Sequence, residues 1–269
     1  MVLRIMLRKD IFKMNIQNII KSIEVTKNEF EKSFSNDGAL YNKQTQDENH
    51  LQLILNSLVF IKSGMKILDL GTGSGYLAFA IARNHPQANI TGLDIIEKTL
   101  IKNTELAQDE HLVNLLFRNY DGMIFPFDNE EFDLVISRYA LHHFPVITDT
   151  FKEISRVLKP EGKLLISDPT PNSNDSECFV DAFMKMKQDG HIKFYTEGEF
   201  KELAQTVGLC YINGFKSLIR FPRKRKDSSQ FPVIMSSYNR AIIEGYSIEV
   251  TDDEIYITEE VNNLLFIKS

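Results

Sequence analysis

At 269 residues the chain is long for a single domain and short for two large ones. With 43% hydrophobic and 25% charged residues, its composition is that of a globular protein with ample material for a core. A net charge of −6 argues against a general nucleic-acid binder, and no stretch approaches the roughly 20 apolar residues of a membrane span. The two cysteines, Cys178 and Cys210, are far apart without metal-type spacing, which fits a reducing, cytoplasmic setting.

The first residues, M-V-L-R-I-M-L-R-K-D-I-F-K-M, mix basic and apolar side chains, but Arg4, Arg8 and Lys9 break any signal-peptide core. Met6 and Met14 are alternative starts, and residues 1–13 are expected to be ill-ordered or not native. Ile16, Ile19, Ile20 and Ile23 recur at helical spacing, Ser35–Gly38 is a break, and a second helix is expected over Gln46–Phe60. Its apolar face would be Leu51, Ile54, Leu55, Leu58 and Val59. Residues 1–61 are therefore a helical segment ahead of a core over 62–269. It is either a lid over a ligand or a cap on a sheet edge.

Lys66–Tyr76 (K-I-L-D-L-G-T-G-S-G-Y) is the most informative stretch. A short apolar run enters Gly71, Gly73 and Gly75, and a helical pattern begins at Tyr76: a buried strand, a tight turn and a helix start. Tyr76 follows Gly75, so G-x-G-x-x-G is not satisfied. Asp69, two residues before the first glycine, would repel a pyrophosphate on the helix N-terminus but suits a ligand with an ammonium group and no phosphate. S-adenosylmethionine (SAM) is the natural candidate. A second strand, Ala88–Asp94, ends in an acid about 20 residues beyond the glycines, where a carboxylate accepts hydrogen bonds from ribose hydroxyls.

Strands are expected at 66–70, 89–94, 114–119, 133–137 and 162–168, and helices at 76–84, 96–109, 148–158, 176–188 and 196–207. This alternation predicts a parallel, doubly wound sheet. Two late strands, Cys210–Phe221 and Val261–Lys268, flank an insertion at about 228–258. Within it Gln230–Gly245 reads as helical, and Ser247–Ile257 as a strand pair around Thr251-Asp252-Asp253.

The segments I-L-D-L-G-T-G-S-G (67–75), G-L-D (92–94), F-P-F-D-N-E-E-F-D-L-V-I-S (125–137), A-L-H-H-F (140–144) and E-I-S-R-V-L-K-P-E-G-K-L-L-I-S-D (153–168) give the chain its resemblance. It resembles a class I SAM-dependent methyltransferase, and the spelling is closest to the small-molecule group that includes the ubiquinone/menaquinone-biosynthesis enzymes. The resemblance covers roughly residues 60 to 170. It implies a Rossmann-like, seven-stranded, mostly parallel sheet with helices on both faces and an antiparallel last strand, with an N-terminal helical lid. It also implies SAM as cofactor, S-adenosylhomocysteine as product, and a cofactor set of Asp69, Gly71, Thr72, Gly73, Asp94, Ile95, Asp121, Gly122 and Ser137. Asp69 and Gly71 would meet the methionine end, Asp94 the ribose and Asp121-Gly122 the adenine. A plain Asp-Gly turn is the competing reading of the last pair.

Methyl transfer from a sulfonium is an in-line displacement with a good neutral leaving group. Alignment matters most, and a base is needed only when the acceptor must lose a proton. His142 is the first candidate for that base; packing or a cofactor contact is the alternative. Arg138, His143, Asp168, His191 and Tyr195 are candidates for the acceptor wall. Arg220–Lys226 (R-F-P-R-K-R-K) is the one basic cluster, either a solvated turn or a dock for RNA or a phosphorylated substrate. The leading expectation is a small-molecule methyltransferase with no metal and no membrane or nucleic-acid partner. An RNA or protein methyltransferase docking through 220–226, and a non-catalytic SAM-binding scaffold, are the alternatives.

Overall fold

A computed structural model describes residues 16–32, 46–187, 189–225 and 228–269. The expected starts at Met6 and Met14, the break at Ser35–Gly38 and the last residue of the basic cluster, Lys226, lie outside the described residues. Helix α1 spans 16–32. Its less exposed positions, Ile16, Ile19, Ile23, Thr26 and Phe30, recur at three- and four-residue intervals, whereas Ile20 is exposed. Helix α2 (Glu48–Ser57) starts on the Asp47 carboxylate, which accepts from His50 N–H at 3.0 Å. It ends earlier than its apolar run, so Leu58 is buried but Val59 points to solvent.

The core alternates β1 (Lys66–Leu70), α3 (Tyr76–Asn84), β2 (Asn89–Asp94), α4 (Glu97–Asp109), β3 (Leu115–Asn119), β4 (Phe132–Arg138), α5 (Ile147–Val157) and β5 (Leu158–Thr170). Next come α6 (Phe179–Met184), α7 (Glu197–Thr206), β6 (Leu209–Lys224), α8 (Phe231–Ser237), α9 (Arg240–Glu244), β7 (Glu249–Val250) and β8 (Glu254–Lys268). The strand order is β3-β2-β1-β4-β5-β8-β6, with β7 paired to β8. Strands β1 to β5 are parallel, and β8 runs antiparallel to both β5 and β6. The chain winds outward from β1 and returns through β4. The crevice at the carboxyl ends of β1 and β4 is thus the topological switch point, where open α/β sheets bind ligands.

The sheet has eight strands rather than seven, because the strand pair expected in the insertion joins it. The hairpin partner of β7 is not a separate strand. Glu254–Lys268 runs unbroken, since Ile255, Ile257, Glu259 and Val261 alternate inward with period two. The helix expected over 176–188 shortens to α6. The one expected at 196–207 begins with a capping box between Thr196 and Glu199.

Helices α5 and α7 cover one face of the sheet through Phe151, Ile154 and Phe200. Helices α2 and α3 cover the other through Leu51, Ile54, Leu77 and Ile81. A further core joins the insertion to the segment around α6, and in it Phe179, Phe183, Phe194, Tyr246, Ile255 and Ile257 are fully buried. Each such phenylalanine contributes about 1.5–3 kcal/mol. Tyr246 also donates to Asp175 Oδ2 at 2.7 Å and accepts from Asn172 N–H at 2.9 Å. The insertion is thereby tied to the loop after β5. No helix among the described residues is long and apolar enough to cross a membrane.

Candidate active site

The turn after β1 is built by glycines for two different reasons. Gly71, Gly73 and Gly75 all have positive φ. A Cβ on Gly71 would lie 2.4 Å from that of Ala140, so close approach of β1 to the segment after β4 requires glycine. A Cβ on Gly73 would meet nothing within 4 Å; it would project into open space. Around this opening stand two buried carboxylates. Asp94 Oδ2 accepts from Gly73 N–H at 2.8 Å and its Oδ1 from Ile96 N–H at 3.0 Å. Asp69 Oδ2 accepts from the Thr72 hydroxyl at 2.7 Å. Burial pushes the Asp69 carboxyl up to about 6, against the Thr72 bond, and burial also raises Asp94. Asn103 fixes the loop from α4, donating to Gly73 O at 2.9 Å.

The cleft beside this loop is walled by Gly71, Gly73, Asp94, Ile95, Ile96, Tyr120 and Gly122. Its roof is α1, which contributes Ile23, Thr26 and Phe30, and a Cβ on Gly122 would lie 3.0 Å from Ile23. One oxygen of Asp121 accepts from Met123 and Ile124 N–H at 2.8 and 2.9 Å, the signature of an Asx turn. The turn reading of Asp121-Gly122 therefore describes part of that carboxylate's work.

Two expected contacts sit elsewhere. Ser137 is fully buried and donates its hydroxyl to Leu70 O at 3.0 Å, stitching β4 to β1 rather than facing the cleft. Arg138 was expected on the acceptor wall. It lies instead beside the glycine loop, in a recess shared with Asp69, Thr72 and Tyr76, its guanidinium 4.1 Å from the Tyr139 ring centroid and 5.2 Å from that of Tyr76.

A 3₁₀ turn, Leu141–His143, follows β4 and presents both histidines. His142 Nδ1 is 2.5 Å from Asp168 Oδ1 at the end of β5. Burial lowers the His142 pKa, but the charge and hydrogen bond of Asp168 outweigh it, and the net shift is upward. His143 is shifted the other way, far down, by burial and by His142. Its ring meets Phe30 edge-on at 5.2 Å.

Beyond the cleft lies a second chamber, which shares Phe30, Tyr139 and His143 with it. His142, Pro169, Phe194, Phe221, Arg223 and Glu259 complete much of its wall. Its lining residues carry several orphaned buried polar atoms, His143 Nδ1, Arg223 Nε and Glu259 Oε1, and Asp168 Oδ2 beside His142 is a further one. Native interiors rarely leave such groups unpaired. Burial pushes the Glu259 carboxyl up to about 7.

His191 and Tyr195, expected on this wall, stand behind it. His191 Nε2 is 2.8 Å from Asp181 Oδ1, and its ring packs on Phe194 at 4.7 Å. Tyr195 packs on Phe200 at 5.3 Å in the core under α7. Their loop supplies Asp189 and Phe194 to the chamber instead, and Ile192 N–H donates to His142 O at 2.9 Å.

Glu259 escapes motif reading and Arg223 is read only as part of the basic cluster, yet both carry a further signal. Each occupies an inward position on a strand face with apolar residues: Ile219 and Phe221, four and two residues before Arg223 in β6, and Ile257 and Val261, two residues either side of Glu259 in β8. Among the described residues no group of three His, Cys, Asp or Glu side chains could hold a metal.

The comparison with known proteins agrees with this architecture. YcgJ of Bacillus subtilis, an uncharacterized methyltransferase, is 26% identical over 147 residues, 54% of this chain and 57% of that protein. A demethylmenaquinone methyltransferase of Lactobacillus johnsonii is 33% identical over 116 residues, 42% of this chain and 48% of that protein. The chain thus spans about half the length of the curated relatives it matches. The crystal structure of B. subtilis YcgJ shares the fold with a TM-score of 0.72 at 19% identity, covering 82% of this chain and 99% of that one. The methyltransferase domain family model matches residues 61–211, and the chain belongs to that family.

Proposed function

We propose that this protein is a cytoplasmic SAM-dependent methyltransferase that moves a methyl group to oxygen, nitrogen or carbon of a small-molecule acceptor. One observation carries the reading: two buried carboxylates, Asp69 and Asp94, flank a glycine whose missing side chain leaves open space. A pyrophosphate would be repelled there. A ligand with an ammonium group and a ribose would relieve the desolvated Asp69 and satisfy Asp94. The residues present fit SAM. Asp69, Gly71, Thr72 and Gly73 would hold its methionine end, with Arg138 beside them, and Asp94 its ribose. Ile95, Tyr120, Asp121 and Gly122 would surround the adenine, with α1 as roof.

When bound, SAM supplies an electrophilic methyl group that leaves from a neutral thioether. The protein's share is to exclude water with α1, align the acceptor and, where needed, take its proton. Asp168 holds Nδ1 of His142, leaving Nε2 as the proton acceptor in the neutral tautomer. In the basic cluster, Arg220 ion-pairs with Glu249 and Arg223 is buried, which supports a small acceptor over RNA. Exposed cysteines at 178 and 210 accord with a reducing compartment.

Calorimetry with SAM, S-adenosylhomocysteine and NAD, in the presence of a chelator, tests the cofactor; binding of NAD in their place overturns it. A metabolite screen read by mass spectrometry tests turnover, and its absence with SAM bound leaves the scaffold reading standing.

A further inference from the structure

Arg223 is a buried cation without a partner to match. It is 6% exposed, and its Nη2 donates only to the Met184 carbonyl at 3.1 Å, with the Met184 sulfur at 3.0 Å. Its Nε has no partner, and its guanidinium stands 5.7 Å and 5.8 Å from the Phe221 and Phe183 ring centroids. Glu259 and Asp189 act on it only through their field; among the described residues no carboxylate comes within ion-pairing distance. A guanidinium removed from water and left unpaired is strongly unfavourable. Its planar fork is suited to two oxygens of a carboxylate or phosphate.

The register of the β6–β8 ribbon fixes where that fork lies. Ile219 is opposite Glu259, Phe221 opposite Ile257, and Arg223 opposite Ile255, so all six point to one face. Arg223 is four residues farther out along the ribbon than Glu259, about 13 Å of strand at about 3.3 Å per residue. Glu259 lies next to the end of β5, where Thr170 pairs with Glu260, and hence near the Asp168–His142 pair. The chamber is therefore polarised along its length. Glu259 and the histidine stand at the end that opens to the cofactor cleft, Phe221 lies between, and the Arg223 guanidinium closes the far end, with the Lys187–Asp189 ion pair along the same wall.

We propose that the acceptor carries an anionic oxygen group, a carboxylate or a phosphate, on an apolar body, and that Arg223 receives that group at a point remote from the methylated atom. The inference rests on the reading of this cleft as the methyl-transfer site. It turns the basic run at 220–226 from a surface feature into a selectivity device, since alternation sends its Arg223 inward.

Small aromatic ligands test it. Protein loaded with S-adenosylhomocysteine is titrated with 3-phenylpropionate, phenyl phosphate, 3-phenylpropionamide and 3-phenylpropylamine. At least one anion is expected to bind tenfold or more tighter than the amide, and Arg223→Gln to bring that ratio close to one. Which anion prevails separates carboxylate from phosphate. Glu259→Gln removes the opposing carboxylate and should keep or raise the preference for the anion, which gives a readout even if Arg223→Gln does not fold. Equal binding of acid and amide, tighter binding of the amine, or a preference that survives Arg223→Gln overturns the proposal. S-adenosylhomocysteine affinity measured on the same samples is independent: its absence overturns the methyltransferase reading and leaves the anion test on the unloaded chamber.

Discussion

Asp168 Oδ1 and His142 Nδ1 are 2.5 Å apart at the adjoining carboxyl ends of β5 and β4, both buried, with the second oxygen of Asp168 left without a partner. The pair joins β4 and β5 beside the junction of the cleft and the second chamber, so its protonation bears on the stability of that junction.

His142 is held above its ordinary pKa in the folded chain. A raised pKa means that the charged pair stabilises the fold fully below about 6.5, and that this contribution is lost as pH rises through the folded value. Asp168→Asn removes the cause, and burial then drives the His142 pKa below its usual range. The variant should be clearly less stable than the parent at pH 6, with the gap narrowing by pH 9. Thermal unfolding at both pH values checks the gap, and an NMR titration of the imidazole checks the pKa. A gap that does not change with pH sinks the idea.

Glu259 is pushed up to about 7 by burial. Here the raised value is a penalty: absent below about pH 4.5, it grows as the unfolded carboxyl ionises and levels off above pH 7. Glu259→Gln should therefore raise the melting temperature at pH 8, by an amount worth a few kcal/mol, and change it little at pH 4.5. Equal effects at both pH values would mean that Glu259 is not desolvated as described.

Asp94→Ala removes the acceptor for Gly73 and Ile96 N–H together with the expected ribose contact. Charge-assisted bonds of this kind are worth roughly 1.5–3 kcal/mol each. The dissociation constant for S-adenosylhomocysteine should rise at least about tenfold. An unchanged constant by calorimetry would falsify the ribose assignment.

The glycines separate structure from ligand binding. Gly71→Ala places a methyl group against Ala140 and should lower the melting temperature markedly or abolish soluble protein. Gly73→Ala meets open space and bears only the strain of its positive φ, about 1–2 kcal/mol. It should fold, yet bind S-adenosylhomocysteine weakly because the methyl group occupies the ligand's place. Equal loss of stability in the two variants would refute the distinction.

The parallel core was legible because its signals are local. An apolar run, a glycine turn and a helical period mark each unit, and the strands at 66–70 and 89–94 fall where the residues place them. The elements of the insertion were legible as well; the continuity of β8 was not, since nothing breaks Glu254–Lys268 and the sheet decides its length. Around the candidate site, Gly73, Asp94, Ile95 and Gly122, which the resemblance implied, line the cleft, and Asp69 and Thr72 line the recess that adjoins it at Gly71 and Gly73. Ser137, His191 and Tyr195 do not face the ligand space, because strand pleat and loop packing set side-chain direction. Glu259 belongs to no motif, and Arg223 was read only as part of the basic run at 220–226. Only the pairing of two strands distant in sequence brings them to one chamber.

The position of β8 in the sheet carries one more consequence. It is inserted between β5 and β6, so β6 has no place to dock until β8 has arrived. The five parallel strands can associate earlier, but the acceptor chamber cannot exist in any partly assembled state, since one wall is β8 itself. Until then β5 exposes an open edge, the kind that recruits strands from other molecules. The β5–β8 seam joins residues about a hundred apart in sequence, so the wall that β8 gives the proposed acceptor chamber depends on a pairing of very long range. Changes that weaken the β5–β8 seam should show first as aggregation during synthesis and only later as lost affinity for the cofactor.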